Sequence, residues 1–202
     1  MVRPETRKRA SGRVGLDRLA VVRAAASLVN AEGVEALTIN RLARELGVQP
    51  PSLYNHIDGL ADLRRELALQ STRALGDRII SAVVGKSGSA GVRAMAEAYR
   101  GYIQECPGLY QASLRASGTM EAPDPELTAA EERVVRVALA LMESFELAGE
   151  EAIHAVRGLR STVHGFATLE AAGGFGIPLN LDESFRRLID TVIRGLERSV
   201  KE

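Results

Sequence analysis

The sequence predicts an all-α fold of about nine helices, and three observations support this prediction. Apolar residues recur at the spacing of helical faces, and no segment shows the alternation of a strand. Residues that cap or end helices separate these segments, as Asp17, Gly33, Thr38 and Gly47 do near the start. The chain of 202 residues can bury a core without disulfides, and its single cysteine, Cys106, excludes an internal disulfide framework.

The N-terminal part predicts a basic arm followed by short helices. Residues 1–16 are polar, basic and contain glycine, so we expect a flexible arm. Asp17 is a plausible cap for a helix from Arg18 to about Ala31. Thr38 can cap the second helix, which Gly47 ends. A third short helix follows, with two prolines in its first turn, where their missing N–H groups have no intrahelical partners.

Six further helices are predicted in the rest of the chain, because apolar faces alternate with Gly- and Pro-rich breaks. The segment 85–91 is interpreted as a connector, Pro107-Gly108 as a break, and 117–126 as a loop. The predicted helices cover about 60–84, 92–106, 109–116, a segment around 134–145, 150–172, and a last helix that Asp182 can cap.

Charge is unevenly placed along a chain of zero net charge. Residues 1–80 contain 13 Lys and Arg against 9 Asp and Glu, while residues 81–202 contain 13 against 17. This asymmetry indicates an N-terminal contact with a polyanion, although chance explains a difference of this size equally well.

Several classes of protein are excluded or disfavoured. No apolar run approaches the ~18 residues of a membrane span, and no secretory signal is evident, so we expect no membrane partner. Cysteine usage fits a reducing cytosol. No catalytic, metal-binding or phosphate-loop motif is present, so we expect neither an enzyme nor a bound cofactor or metal.

The stretch "LTINRLARELGVQPPSLYNHIDGLADL", residues 37–63, contains two short helical patterns joined by a tight turn. Its apolar residues Ile39, Leu42, Ala43 and Leu46 share one face of the first helix. This arrangement is typical of a helix-turn-helix, whose second helix presents short polar side chains to a DNA major groove. The residues left on the outside of that helix are Pro50, Pro51, Ser52, Asn55 and His56.

Residues 17–67 resemble the DNA-binding domain of the tetracycline-repressor (TetR) family of bacterial regulators. The stretch "GVEALTINRLARELGVQPPSLYNHIDGLADL" carries the resemblance through its L-T opening, its L-A-x-x-L-G-V core and L-Y-x-H-I. The second half resembles the family's ligand and dimer domain more loosely. There, "STVHGFATLEAAGGF" is similar to one C-terminal subgroup with a His-Gly pair in the penultimate helix.

The resemblance implies a role for each matching position. The positions that would face base edges are Asn40, Pro50, Pro51 and Ser52. Those that would hold phosphates are Thr38, Tyr54, Asn55 and His56, with Arg41 and Arg44 adding positive charge nearby. Two positions depart from the family pattern. Gln49 replaces a frequent Ser or Thr cap, and Leu60 replaces a frequent Lys, which removes a phosphate contact.

The resemblance also implies a ligand cavity and a dimer interface in the C-terminal part. The candidate ligand residues are Met95, Tyr99, Tyr102, Tyr110, Met142, Phe145 and His164, although core packing explains the apolar ones equally well. The candidate dimer residues are Val163, Phe185, Leu188, Ile189, Val192, Ile193 and Leu196. The wide apolar face of the last helix could instead be buried within one subunit.

Together these features predict a cytoplasmic, nucleoid-associated bacterial transcription regulator with a helix-turn-helix domain at 17–62 and a ligand-binding and dimerisation domain at 63–202. We expect a homodimeric repressor that is released from a palindromic operator in double-stranded DNA by a largely apolar small molecule. The alternative is a helical small-molecule-binding or protein-interaction protein without DNA readout.

Overall fold

The computed structural model describes residues 16–119 and 124–199, and every regular element in these ranges is helical. A short 3-10 turn, Val34–Ala36, joins the first two α-helices. The predicted all-α class is therefore confirmed, with nine α-helices in the described ranges. They are α1 (Arg18–Glu32), α2 (Ile39–Leu46), α3 (Pro50–Leu53), α4 (Leu60–Val83), α5 (Gly88–Glu105), α6 (Pro107–Thr119), α7 (Pro125–Glu143), α8 (Gly149–Ala171) and α9 (Leu181–Ser199).

Local hydrogen bonds define the ends of the first helices as the sequence predicts. The Asp17 carboxylate accepts a hydrogen bond from the Ala20 amide at 2.6 Å, and the Thr38 hydroxyl accepts one from the Arg41 amide at 3.1 Å. Gly47 ends α2 in the left-handed region, at φ 65°, where a side chain is disfavoured. The predicted arm lies outside the described residues except for Leu16, which packs partly against the first core.

The apolar residues form two main clusters, and α4 contributes to both. The N-terminal core contains the inner faces of α1 to α3 together with Leu63 and Leu67 of α4. It also contains Leu109 and Ala112, so the start of α6 packs against the helix-turn-helix. The C-terminal core contains the inner faces of α5 and α7 to α9, Tyr110 of α6, and the second half of α4. Two helices therefore connect the two cores directly.

Arg100 of α5 forms ion pairs with residues of α8 and α9. Its guanidinium donates to Glu170 at 2.7 Å, pairs with Asp182 at 2.8 Å, and lies over the rings of Phe166 and Phe185. This environment raises the pKa of Arg100, chiefly through its hydrogen bond to Glu170. The cation is buried but fully paired, as a buried charge must be.

Three helix boundaries in the structure differ from the predicted ones. The segment 85–91 is not wholly a connector, since α5 already begins at Gly88. A Cβ at Gly91 would lie 2.5 Å from Leu141, so this glycine allows α5 to approach α7 closely. The predicted helix break at Pro107-Gly108 is present, because α5 ends at Glu105, but Pro107 is already the first residue of α6, which continues to Thr119. Of the predicted loop 117–126, residues 120–123 lie outside the described ranges.

The cap of α9 also differs from the prediction. The Asn180 side chain, and not Asp182, accepts the hydrogen bond from the Glu183 amide at 2.9 Å. Asp182 is the second residue of the helix, where its carboxylate pairs with Arg100.

Among the described helices, none combines the length and apolar character that a membrane crossing requires.

Candidate nucleic-acid interface and ligand cavity

The helix-turn-helix buries its apolar residues and leaves its polar ones accessible. Leu42, Ala43 and Leu53 are buried in the N-terminal core. The predicted DNA contacts Thr38, Asn40, Pro51, Tyr54 and Asn55 are exposed, while Arg41, Pro50, Ser52 and His56 are half-buried. Tyr54 is 58% exposed, so it is an accessible aromatic side chain and not a packing residue.

The segment expected to enter the groove is a single helical turn. The α3 helix spans only Pro50–Leu53, and a turn continues to Ile57, whose amide donates to the Leu53 carbonyl at 3.1 Å. Gln49 precedes α3 without a side-chain cap hydrogen bond, as its departure from the family pattern predicts. The rest of the segment is held by burial of Leu53 and Ile57.

Arg18 is a positioning residue that the sequence analysis missed. Its guanidinium donates to both carboxylate oxygens of Asp62, at 2.7 and 2.8 Å, and to the His56 carbonyl at 3.1 Å. Asp62 in turn accepts from the Asp58 amide at 3.0 Å, and the hydrogen bond from Arg18 lowers its pKa. The start of α1 thereby ties the end of the α3 turn to the start of α4. Arg18 and Asp62 are 44 residues apart, so no local spacing indicates the pair.

The structure places the predicted charged and capping residues in distinct environments. The Arg41 guanidinium already pairs with Glu32 and Glu45, and these hydrogen bonds raise its pKa, Glu32 contributing most. A phosphate contact by Arg41 therefore requires exchange of these partners. Thr38 uses its oxygen as the α2 cap, which leaves its hydroxyl hydrogen available to a phosphate. Leu60, at the position where Lys is frequent, packs partly against the N-terminal core.

A cavity of about 270 Å³ lies among α4, α5, α6, α7 and α8. Its walls are mostly aliphatic, with polar atoms from a few residues. Three predicted ligand residues, Met95, Tyr99 and Tyr110, line it. The lining residues that the sequence analysis missed include Thr72, Leu75, Ile79, Val134, Leu159 and Arg160. Apolar periodicity alone does not separate a cavity wall from a packed core.

Four of the predicted ligand residues do not line this cavity. Met142 and Phe145 are buried in the C-terminal core, so the packing explanation applies to them. Tyr102 is buried too, and its hydroxyl donates to Ser71 on α4 at 3.0 Å. His164 lies behind the wall, where its Nδ1 is 2.7 Å from the Tyr110 hydroxyl.

Two tyrosines of the cavity lining belong to a short hydrogen-bond chain. The hydroxyls of Tyr99 and Tyr110 are 2.8 Å apart, and His164 continues the chain from Tyr110. Burial raises the pKa of Tyr110, which therefore keeps its proton. Burial, together with the charge of Arg160, lowers the pKa of His164 and favours the neutral imidazole. A neutral imidazole can either accept or donate at Nδ1, depending on its tautomer.

Five of the predicted dimer residues are buried within the protomer, which corrects their assignment. Phe185, Ile189, Ile193 and Leu196 of α9 belong to the C-terminal core. Val163 is 1% exposed and lines the cavity. Leu188 and Val192 remain half-buried. The wide apolar face of α9 is thus largely buried inside one subunit, as the alternative given in the sequence analysis predicts.

A different part of α8 is open to contact. A Cβ added at Gly158 or Gly165 would meet nothing within 4 Å, and Leu169 on the same helix is 52% exposed. Glycine in a helix interior costs about 1 kcal/mol relative to alanine, and packing within the protomer offers no reason for it here. The two glycines, seven positions apart, are the sequence signal that could have indicated this face.

Comparison with known proteins identifies the family. "Bacterial regulatory proteins, tetR family" matches residues 21–67, and "Tetracyclin repressor-like, C-terminal domain" matches residues 92–192. The HTH-type transcriptional regulator YobS of Bacillus subtilis is 35% identical over 187 residues, covering 92% of this chain and 95% of its own. The chain belongs to the TetR family. An HTH-type regulator of Mycobacterium tuberculosis is likewise 35% identical, over 91% of this chain and 83% of its own.

Solved structures share the TetR-family fold over almost the whole chain. A protein of unknown function from Rhodococcus sp. RHA1 is 25% identical, with a TM-score of 0.78 and coverage of 93% of this chain and 99% of its own. A variant of TetR from Acinetobacter baumannii AYE, in complex with minocycline, is 22% identical, with a TM-score of 0.66 and coverage of 91% and 98%.

Membership of the TetR family establishes the general function. The chain is a helix-turn-helix transcription regulator with a helical C-terminal domain. Regulators of this family bind DNA and small molecules as dimers. The family is one of transcription regulators and not of enzymes.

Proposed function

We propose that this TetR-family regulator represses transcription from a palindromic operator and is released when a small, largely apolar molecule enters the cavity. The observation that carries this proposal is the position of α6. This helix presents Tyr110 to the cavity and contacts the DNA-binding part through the two preceding residues, Gly108 and Leu109. A ligand that moves Tyr110 therefore acts on α1 through one helical turn.

The contact between α6 and α1 is close and specific. The Leu109 amide donates to the Asn30 side chain at 2.9 Å. A Cβ at Gly108 would overlap the Val29 carbonyl oxygen and lie 2.8 Å from the Asn30 amide nitrogen. The two backbones are thus in direct contact, and a shift of α6 cannot be absorbed by flexible side chains.

On the DNA side we propose the roles that follow from the family pattern. Asn40, Pro50, Pro51 and Ser52 would face base edges. Thr38, Tyr54, Asn55 and His56 would bind phosphates, with Arg41 nearby and the arm adding further contacts. We propose a functional division between residues 62 and 63. The α4 helix packs in both domains and would transmit a movement of one domain to the other.

For the dimer we propose a face formed by α8 and α9. The open positions Gly158 and Gly165, with Leu169, allow a twin helix to approach closely. Leu188 and Val192 of α9 would flank this contact. Such a dimer would place two recognition segments ~34–36 Å apart, one turn of DNA.

Thermodynamic linkage sets the condition for release. The ligand must bind the DNA-incompetent conformation better, and DNA must weaken ligand binding by the same factor. The minocycline complex of the Acinetobacter TetR variant supports a small-molecule effector for this chain as well. We place the protein in the bacterial cytoplasm, associated with the nucleoid through its operator.

The first experiment is selection of bound sequences from a random pool of double-stranded DNA at near-physiological salt. We expect one palindromic motif, whose binding weakens steeply with salt because phosphate contacts release counterions.

Tyr54→Ala and His56→Ala should reduce affinity for all sequences, by roughly tenfold each for a lost charge-assisted contact. Asn40→Ala should relax preference at one base position. Arg136→Ala, an exposed change on α7, is the control and should change neither property.

Failure to enrich any motif, repeated at low salt, would contradict DNA readout. The protein would then be better described as a helical small-molecule-binding or protein-interaction protein. Leu60 would be the first residue to test, because it stands where many family members carry a phosphate-binding lysine. If the three variants leave binding to an enriched motif untouched, the proposed docking surface is wrong.

A further inference from the structure

We propose that the cavity takes a small apolar monocarboxylic acid, whose carboxylate is bound by Arg160 and by the phenol hydroxyl of Tyr99. The inference rests on the proposed function, since it names the chemical class of the effector for the same cavity. It follows from the aliphatic walls, the charges on the lining and the orientation of the hydrogen-bond chain.

The walls require an apolar body of limited size. Leu75 and Ile79 of α4, Val134 of α7, and Val156 and Leu159 of α8 all line the cavity. Its volume of about 270 Å³ lies just below the range of ~300–1000 Å³ that holds drug-sized ligands. A short alkyl chain or a single ring fits both the walls and the volume.

The charges on the lining favour an anion. Among the described residues of the lining, Arg160 is the cationic one, and it has no ion pair with any residue in the described part of the chain. By comparison, Arg100 pairs with Glu170 and Arg133 with Asp77. Glu131 also lines the cavity, but it already interacts with another group of the protein. A ligand carboxylate would give Arg160 the planar partner that a guanidinium prefers.

The hydrogen-bond chain can present a donor to the same ligand. When His164 carries its hydrogen on Nδ1, it donates to Tyr110, and Tyr110 then donates to Tyr99. The Tyr99 hydroxyl hydrogen is then free to point into the cavity. This orientation needs only a change of tautomer in His164, with no net charge added to the buried chain. Tyr99 and Tyr110 both line the cavity, so the donor and the apolar walls meet in one place.

The proposal distinguishes ligands of one shape and different charge. An alcohol lacks the charge that Arg160 would neutralise, and an ammonium ion would be repelled by it. A carboxylate therefore should bind best in a matched series. A phosphate dianion is less suitable, because the described part of the lining offers it a single cationic side chain.

The test measures binding to the full chain by calorimetry, without DNA, at neutral pH. The probes are octanoate, 1-octanol and octylammonium, with 3-phenylpropanoate, 3-phenylpropanol and 3-phenylpropylammonium as a second series. We expect the carboxylate of at least one series to bind at least about tenfold tighter than its alcohol, as a charge-assisted hydrogen bond implies. The ammonium ion should bind more weakly than either.

Two variants and two matched controls locate the effect. Arg160→Gln and Tyr99→Phe should each remove most of the carboxylate preference while leaving the affinity for the alcohol unchanged, which general damage to the fold would not do. Arg157→Gln changes an exposed arginine of the same helix outside the cavity, and Tyr102→Phe removes a phenol hydroxyl that binds Ser71. Both controls should keep the preference.

Several outcomes would overturn the proposal. They are an alcohol or ammonium ion that binds as tightly as the carboxylate, no binding in either series, and a carboxylate preference that survives Arg160→Gln. The proposed function is judged separately, by release of the selected operator. A neutral ligand that binds and releases DNA would refute the carboxylate class and leave the regulator intact. A carboxylate that binds as described without releasing DNA would support the carboxylate class and refute the proposed release by the ligand.

Discussion

Tyr110 joins the chemistry of the cavity to the packing of the chain at the level of a single residue. Its hydroxyl lies between Tyr99 and His164, and its ring packs edge-on against Tyr99. Since all buried side-chain polar atoms of the described residues have a hydrogen-bond partner, this chain is satisfied before any ligand binds. A ligand therefore changes the orientation of existing hydrogen bonds and does not need to fill a missing one.

His164 should make the stability of the protein sensitive to acid. Burial lowers its pKa in the folded chain from the value of 6.5 that it would have in the unfolded chain. As the pH falls through 6.5, the unfolded state takes up the proton more readily, so the free energy of unfolding decreases. We expect the Tm to fall between about pH 7.5 and about pH 5.5, and to fall less in His164→Asn.

The exposed histidine of the same helix provides the control for this experiment. His154→Asn should retain the full pH dependence of wild type, because its ring is accessible to water in the folded chain. Equal slopes of Tm against pH in wild type and His164→Asn would show that His164 does not carry the effect. Differential scanning calorimetry on both variants across this pH range decides the matter.

At the scale of the elements, α4 and α6 connect the two cores in different ways. The α4 helix runs through both, with Leu67 in the N-terminal core and Ile79 in the C-terminal core. The α6 helix begins against α1 and carries Tyr110 into the C-terminal core. The α3 helix is a single turn, so its position depends on burial of Leu53 and on the Arg18–Asp62 ion pair more than on helix propensity.

The α1–α6 contact should be sensitive to one added methyl group. Gly108→Ala places a Cβ against the backbone of Val29 and Asn30, which cannot move aside as a flexible side chain would. We expect a loss of about 1–3 kcal/mol in the free energy of unfolding, as for other overpacked sites. Chemical denaturation in urea measures it.

Gly101→Ala is the matched control for this prediction. A Cβ there would meet only the far end of the Arg78 side chain, at 3.0 Å, and no backbone atom. The helix interior should gain up to about 1 kcal/mol from the replacement of glycine. If the two variants have the same stability, the close approach of α6 to α1 is not a rigid contact.

At the scale of the whole molecule, the proposed function depends on two copies held at one spacing. The protomer already buries most of the apolar face of α9, so that face offers little to a partner. In the proposed dimer, the open glycines of α8 would allow the close approach, and glycine in a helix is otherwise a cost. Dimerisation through this face would couple the ligand cavities to the distance between recognition segments.

Large side chains at the two glycines should separate the subunits. We expect Gly158→Leu and Gly165→Leu to shift the molar mass in light scattering from dimer toward monomer. Affinity for the palindrome should fall by roughly tenfold or more, since the second recognition segment no longer binds in the same complex. Ala74→Leu, an exposed change on α4, should leave the dimer intact. A dimer that persists in both glycine variants would exclude this face of α8.

Local interactions explain which parts of the site could be predicted. The capping of α1 and α2 by Asp17 and Thr38 involves residues three positions away. The turn at Gly47 needs only a backbone preference. The helix-turn-helix follows from these signals and from the spacing of its apolar residues. In contrast, the Arg18–Asp62 ion pair and the Asn30–Leu109 hydrogen bond join distant segments, and no spacing along the chain indicates them.

The sequence by itself determined the all-α class and the helix-turn-helix, because each depends on interactions within a few residues. Only the tertiary structure decided which apolar side chains line the cavity, since helical periodicity specifies a face but not its neighbour. Tyr102 and Tyr110 are both buried tyrosines, yet one hydroxyl binds Ser71 and the other belongs to the cavity wall. The same limit applies to α9, whose apolar face is covered by its own protomer.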